Sequence, residues 1–376
     1  MRARLMALGL GLGLATGLEL VARRLAPPED EHTFMEGSAP PVGCATDPIL
    51  GWLPQPGKRW RDDHILQWEQ RNSVDGGPLA DEYISPEGFR DDPLGDAPAG
   101  ARRILVLGDS TVWGFGVRRQ DGLVERAERQ LDRLNEGSPG RPVELINGGV
   151  SGFTVLQSEV LMERNLHLGL DGVVIYNLNS DAMAANGLPD SEHFDRRLAR
   201  ATQAVLARSG LYRLVTVGLR SIHPGPARTD LRSRVYLSDY LEALERMAET
   251  ARDQGASTTF VLPPSRGHTH RGGKPASPQS RTPDQEEAFV KQAITHEDQH
   301  ASVDAYQAAM VVAARRTGSM LVDGPELFRQ AGAAADHDEG ALFMDHVHPT
   351  PRGHGILGDA IASALAEGFQ QAEGDP

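Results

Sequence analysis

Two short stretches hold residue types that could carry out covalent chemistry together. Gly108-Asp109-Ser110 follows the apolar run Ile104-Leu105-Val106-Leu107, and Asp345-His346-Val347-His348-Pro349 lies near the C-terminus. A serine hydroxyl is a weak nucleophile unless a base takes its proton and a third group orients that base. Aspartate three residues before histidine lets one carboxylate hold the imidazole Nδ1–H while Nε2 faces the serine. Ser110, His348 and Asp345 are therefore candidates for the nucleophile, base and orienting acid of acyl chemistry. Gly-Asp-Ser alone is a common turn. Its position after a strand-like run, with Asp345 and His348 just ahead of a final helix, singles it out.

These residues can meet only if regular elements carry them to one place. Strand-like runs at 103–107, 143–147, 172–176, 257–262 and 318–322 alternate with helical stretches near 121–134, 154–168, 191–209, 234–254 and 301–317. Strands separated by helices predict a parallel five-stranded sheet covered on both faces. Ligands of open sheets of this kind bind at the carboxyl ends of the strands, which is where Ser110 falls. The last helix is expected after Pro351, with Leu357, Ile361 and Leu365 along one apolar face. Pro263–His300 and Ala331–Gly340 break the alternation and read as loops, the first as a flexible insertion.

The motifs resemble those of the SGNH (GDSL-type) hydrolase superfamily over about residues 101–370. One block is Ile104-Leu105-Val106-Leu107-Gly108-Asp109-Ser110-Thr111-Val112-Trp113-Gly114, with Thr111 where many members have leucine. A second is Asn147-Gly148-Gly149-Val150-Ser151-Gly152-Phe153-Thr154, and the last is Asp345-His346-Val347-His348-Pro349 followed by Gly353-His354. The resemblance implies a flavodoxin-like three-layer α/β sandwich, acyl-ester chemistry without a metal or cofactor, and an oxyanion hole formed by the Ser110 and Gly152 amides with an asparagine side chain. That asparagine is where the match weakens, because the chain reads Tyr176-Asn177-Leu178-Asn179-Ser180-Asp181 in place of Gly-x-Asn-Asp. Either Asn179 is the oxyanion donor, which is the preferred register, or alignment on Asp181 puts Ser180 there. An amide donates more directionally than a hydroxyl.

Other features bound the setting. Lys plus Arg number 38 against 52 Asp plus Glu, and a net charge of -14 disfavours a nucleic-acid partner. A single cysteine, Cys44, excludes an internal disulfide and a thiolate metal cluster, and it lies too far beyond the N-terminal apolar run for a convincing lipoprotein site. That run, Leu5 to Leu18, follows Arg2 and Arg4 and precedes Glu19 and Arg23-Arg24. Residues 1–25 thus read as a signal peptide or membrane anchor. Residues 26–100 read as a linker and small irregular lead-in, in which Ile49–Trp52 and Ile84–Arg90 are expected to pair as short strands. Trp52, Trp60 and Trp68 suit a small core there. Trp113 either lines an acyl pocket or packs beneath its loop. His346 and His354 are expected in a solvent-facing loop and on a helix surface, and His268 and His270 in a surface loop rather than a metal site.

The expected activity is that of an extracytoplasmic serine esterase, membrane-anchored or secreted, hydrolysing a small-molecule, lipid or glycan acyl ester. Two alternatives remain: an O-acyltransferase passing the acyl group to a glycan hydroxyl, and a non-catalytic binding module on the same fold.

Overall fold

The structure is a computed structural model that describes residues 16–25, 44–47, 49–59, 84–95, 100–136, 141–185, 189–194, 206, 209–212, 214–215, 232–266, 281–295, 301–334 and 341–374. The expectations for Trp60, Trp68, His268 and His270 fall outside them.

Seven strands occur among the described residues. β1 (Cys44–Asp47) and β2 (Gly51–Pro54) form an antiparallel hairpin, and β3 (Arg102–Gly108), β4 (Val143–Gly149), β5 (Gly172–Tyr176), β6 (Ser257–Leu262) and β7 (Met320–Asp323) form one sheet in the order β4-β3-β5-β6-β7. Every pairing in the larger sheet is parallel. Period-two alternation sorts each strand's side chains between two cores. In β3, Leu105 and Leu107 enter one apolar cluster while Ile104 and Val106 enter the other. The flavodoxin-like three-layer sandwich expected from the sequence is the fold observed.

On one face lie α3 (Val155–Asn165), α6 (Leu237–Asp253) and α8 (Val303–Thr317). The other face carries α2 (Leu123–Asn135), α9 (Gly324–Ala334) and α10 (Pro351–Gly374). Leu357, Ile361 and Leu365 of α10 are fully buried, as their spacing requires, and each such side chain contributes about 1.5–3 kcal/mol of transfer free energy. Three shorter helices are α1 (Ser110–Trp113), α4 (Asn179–Ala182) and α5 (Asp190–Phe194).

Several local expectations need correction. The 49–52 stretch does not pair with 84–90; it turns back on residues 44–47, because the Asp47 carboxylate accepts from the Ile49 and Leu50 amides and closes a tight turn. Within 263–300 stands α7 (Pro283–Ile294), started by a reciprocal Thr282/Gln285 capping box with proline in the first turn. α9 likewise extends through Ala334 into the second stretch read as a loop.

His354 is not on a helix surface. It is fully buried in the first turn of α10, neither ring nitrogen has a hydrogen-bond partner among the described residues, and burial pushes its pKa down to about 3. Since its folded pKa lies below the unfolded value, the unfolded chain binds the extra proton, and the stability present above the unfolded pKa is lost as pH falls. Replacing His354 with leucine is expected to flatten the fall in unfolding free energy between about pH 7 and about pH 5. Urea titrations at the two pH values would measure it, and equal slopes for the two proteins would contradict this assignment.

Candidate active site

The sheet register brings three loops to one place. Gly108, the last residue of β3, pairs with Gly149 on one side and Tyr176 on the other, so the chain leaves the sheet side by side at 109, 150 and 177. Close packing there tolerates no side chain: a Cβ on Gly149 would lie 2.2 Å from the Trp113 nitrogen, and one on Gly108 would lie 2.5 Å from Val112 Cγ2.

Ser110 opens α1, with Asp109 as N-cap accepting from the Thr111 amide at 3.0 Å. Its hydroxyl Oγ lies 2.7 Å from His348 Nε2, and His348 Nδ1 lies 2.6 Å from Asp345 Oδ2. Asp345 and His348 share a narrow hairpin-like loop: Phe343 bridges Pro349, the Met344 amide donates to the His348 carbonyl, and the Thr350 amide donates to the Leu342 carbonyl. Asp345 also shapes that loop, because its Oδ1 accepts from the Val347 and His348 amides at 2.9 and 2.8 Å. Partial burial raises the Asp345 pKa, but the His348 ring and these two amides outweigh it and hold the carboxyl below the usual range. The Phe115 ring packs on His348 with centroids 4.5 Å apart. The three residues singled out in the sequence thus form a continuous hydrogen-bonded relay.

Gly152 sits in a turn closed by the Phe153 amide on the Val150 carbonyl, at φ 79°, a conformation open to glycine. Both peptides flanking it are clamped. The Ser151 carbonyl accepts from Trp52 Nε1 at 3.1 Å, and the Gly152 carbonyl accepts from Arg234 Nη1 at 2.7 Å. In a trans peptide the N–H points opposite to the C=O, so the Trp52 bond also fixes where the Gly152 N–H points.

The third loop shows different surroundings for the two oxyanion candidates. Ser180 Oγ donates to Asp109 Oδ2 at 3.4 Å, whereas Asn179 Nδ2 is shielded from solvent and has no acceptor among the described residues. Asp109 is buried, which raises its pKa against the bond from Thr111. Asp181 is fully buried too and is pushed up to about 8, despite accepting from the Val155 amide at 2.7 Å.

Two residues around the site, Arg90 and Arg234, have no role in the sequence reading, and Trp52 has one beyond the small core expected of it. Trp52, from the lead-in, meets Phe153 edge-on as well as holding Ser151. Arg90 is buried and donates to the carbonyls of Trp113, Gly114 and Val117 at 2.6–2.8 Å, fixing the turn that carries Phe115. Arg234 pairs with buried Asp190 at 2.6 Å. Trp113 packs beneath its loop against Ile84, and His346 is exposed as expected. A cavity of about 320 Å³ lies behind the Gly149–Val150 strand end, between the hairpin and α3, but no residue of the relay lines it. Among the described residues no cluster of metal-ligating side chains occurs.

No protein-family profile and no curated protein matches the chain. Comparison with solved structures finds several of similar architecture. An acetyl xylan esterase from Geobacillus stearothermophilus is 17% identical, with 70% of this chain and 94% of that one covered at a TM-score of 0.41. A second acetyl xylan esterase is 14% identical, covering 70% and 99% at 0.43. A lipolytic protein of the G-D-S-L family from Desulfitobacterium hafniense is 13% identical, covering 70% and 99% at 0.40.

Removing one partner of a buried ion pair strands the other charge, at a cost of about 3–5 kcal/mol. Arg234→Met is therefore expected to lose stability on that scale in denaturant titrations, and the double variant with Asp190→Leu to recover part of it. A single variant as stable as the parent would show that the pair does not hold the Gly152 loop.

Proposed function

We propose that the chain is a serine ester hydrolase of the SGNH type, working through an acyl-enzyme. The observation that carries this reading is the relay itself: Ser110 Oγ at 2.7 Å from His348 Nε2, and His348 Nδ1 at 2.6 Å from Asp345. With neutral His348 donating from Nδ1 to Asp345, Nε2 holds the lone pair that accepts the Ser110 proton as Oγ attacks the ester carbonyl. The carbonyl oxygen becomes an oxyanion facing three donors: the amides of Ser110 and Gly152 and the Asn179 side chain. Protonated His348 returns its proton to the leaving alcohol. Water enters, gives a proton to His348 and attacks the acyl carbonyl; collapse releases the acid and restores Ser110.

Asn179 is assigned the oxyanion role rather than Ser180, because the Ser180 hydroxyl donates to Asp109 while Asn179 Nδ2 has no acceptor among the described residues. A binding module needs no aligned relay, so the alignment favours catalysis. The substrate class is a small-molecule, lipid or glycan acyl ester. The apolar run Leu5–Leu18 between basic residues supports a place outside the cytoplasm, with the N-terminal segment as tether. Among the described residues no helix is long and apolar enough to cross a membrane, and residues 1–15 lie outside them.

Turnover of a short-chain acyl ester is expected to fall by roughly 10⁴-fold or more in Ser110→Ala. Full activity in that variant would end the assignment. Asn179→Ala is expected to lower kcat by roughly 10²- to 10³-fold, and Ser180→Ala to cost far less. A larger loss in Ser180→Ala would reverse the register.

A further inference from the structure

Seven of the ten large apolar side chains exposed among the described residues belong to two short segments. Leu18, Leu20, Val21 and Leu25 lie on the helix at 16–25, and Leu206, Leu211 and Val215 lie in or just before a second helical stretch beginning at Gly210. Scattered exposed leucines need no explanation, whereas a concentration of this kind does.

The two segments are locked together. The Glu19 carboxylate accepts from Ser209 Oγ and the Gly210 amide, each at 2.8 Å, and from the Leu211 amide at 3.3 Å, while Arg23 Nε donates to it at 2.8 Å. These bonds, Arg23 foremost, hold the Glu19 pKa down at about 2. Ser209 Oγ in turn accepts from the Tyr212 amide. At the crossing the backbones nearly touch: Ala22 is buried, and a Cβ on Gly210 would lie 2.3 Å from the Arg23 nitrogen.

This arrangement inverts that of a water-facing helix pair. Polar groups are satisfied between the segments, a glycine permits close approach, and the branched apolar side chains point outward. Helices packed in lipid obey those rules, because an unpaired polar group is costly there and small residues allow backbones to meet. The sequence around the pair adds charge of one sign. From Arg196 to Thr229 there are seven arginines and no acidic residue, in a chain of net charge -14. The helix at 16–25 also continues the apolar run from Leu5. Arginines close in sequence to an apolar segment favour a bilayer containing anionic lipid over a neutral one.

We propose that the helix at 16–25 and the stretch beginning at Gly210 form one lipid-facing surface whose partner is an anionic bilayer. This inference rests on the reading of the N-terminus as a tether and adds a second point of contact, 190 residues away from Glu19 in the chain at Ser209.

The test is lipid-phase quenching on the full-length chain in a Cys44→Ser background, with an environment-sensitive fluorophore attached through Leu211→Cys. A control carries the same fluorophore through Leu134→Cys, an exposed position at the end of α2. The proteins are mixed with vesicles of phosphatidylcholine and phosphatidylglycerol bearing nitroxide lipid, and flotation records what is bound. On vesicle-bound protein the label at 211 is expected to be quenched several-fold more than the label at 134, and several-fold less in phosphatidylcholine alone. Equal, weak quenching at both positions on protein that floats would overturn the proposal and leave the tether standing. Equal quenching at 211 in the two lipid mixtures would overturn the claim of an anionic partner. Failure to float would remove both the tether and this surface, while hydrolysis of a soluble ester by the same samples keeps the catalytic reading separately testable.

Discussion

The hydrogen bond between Ser110 and His348 joins residues 238 positions apart, and the rest of the structure is arranged so that it can form. A contact of 2.7 Å leaves little room for drift, so both ends must be carried by rigid elements. Ser110 stands on the end of β3, paired on both sides within the sheet. His348 stands on a hairpin-like loop whose base is tied by Phe343, Thr350 and the first turn of α10. α10 is held in turn by Leu357, Ile361 and Leu365, buried under the sheet beside α2. Asp345 has two duties in one side chain: one oxygen builds the turn and the other orients the imidazole.

The loops facing this relay are held from an unexpected direction. Residues ahead of the α/β body reach across to them: Trp52 fixes the peptide before Gly152, and Arg90 fixes the carbonyls after α1. Arg234, itself paired with Asp190, holds the next peptide. Buried charged and polar groups spent in this way specify one loop geometry, because each carbonyl they hold would otherwise have to find another donor. The lead-in therefore holds the loops that carry the site. Asp109 adds a further tie, joining the segment that carries Ser110 to Ser180 at the start of α4.

Much of this was legible in the sequence because its signals are local. Apolar runs of strand length between helical stretches gave the five parallel strands, and the motifs pointed to Ser110, Asp345 and His348, which the fold brings within hydrogen-bonding distance. His354 was misread, although the signal was present: it lies three residues before Leu357 and so extends the stripe of Leu357, Ile361 and Leu365 into the core. α7 was obscured because Pro, Gly and Ser dominate the surrounding composition, while the Thr282-Pro283 start that makes the helix occupies only a few residues. Trp52 and Arg90 carry no local signal at all, since their partners are 99 residues and more than 20 residues away. The contact that distinguishes Ser180 from Asn179, its hydroxyl reaching Asp109, is likewise tertiary.

Catalysis at this site depends on whether the three loops surround a developing oxyanion next to Ser110. The most direct measurement is a crystal structure of the protein after reaction with a small fluorophosphonate, whose tetrahedral phosphonyl group stands in for the acyl intermediate. The account predicts a covalent bond from Ser110 Oγ to phosphorus, with the phosphonyl oxygen within hydrogen-bonding distance of the Ser110 and Gly152 amides and Asn179 Nδ2. An unmodified Ser110, or an adduct whose phosphonyl oxygen points away from Gly152 and Asn179, would contradict it.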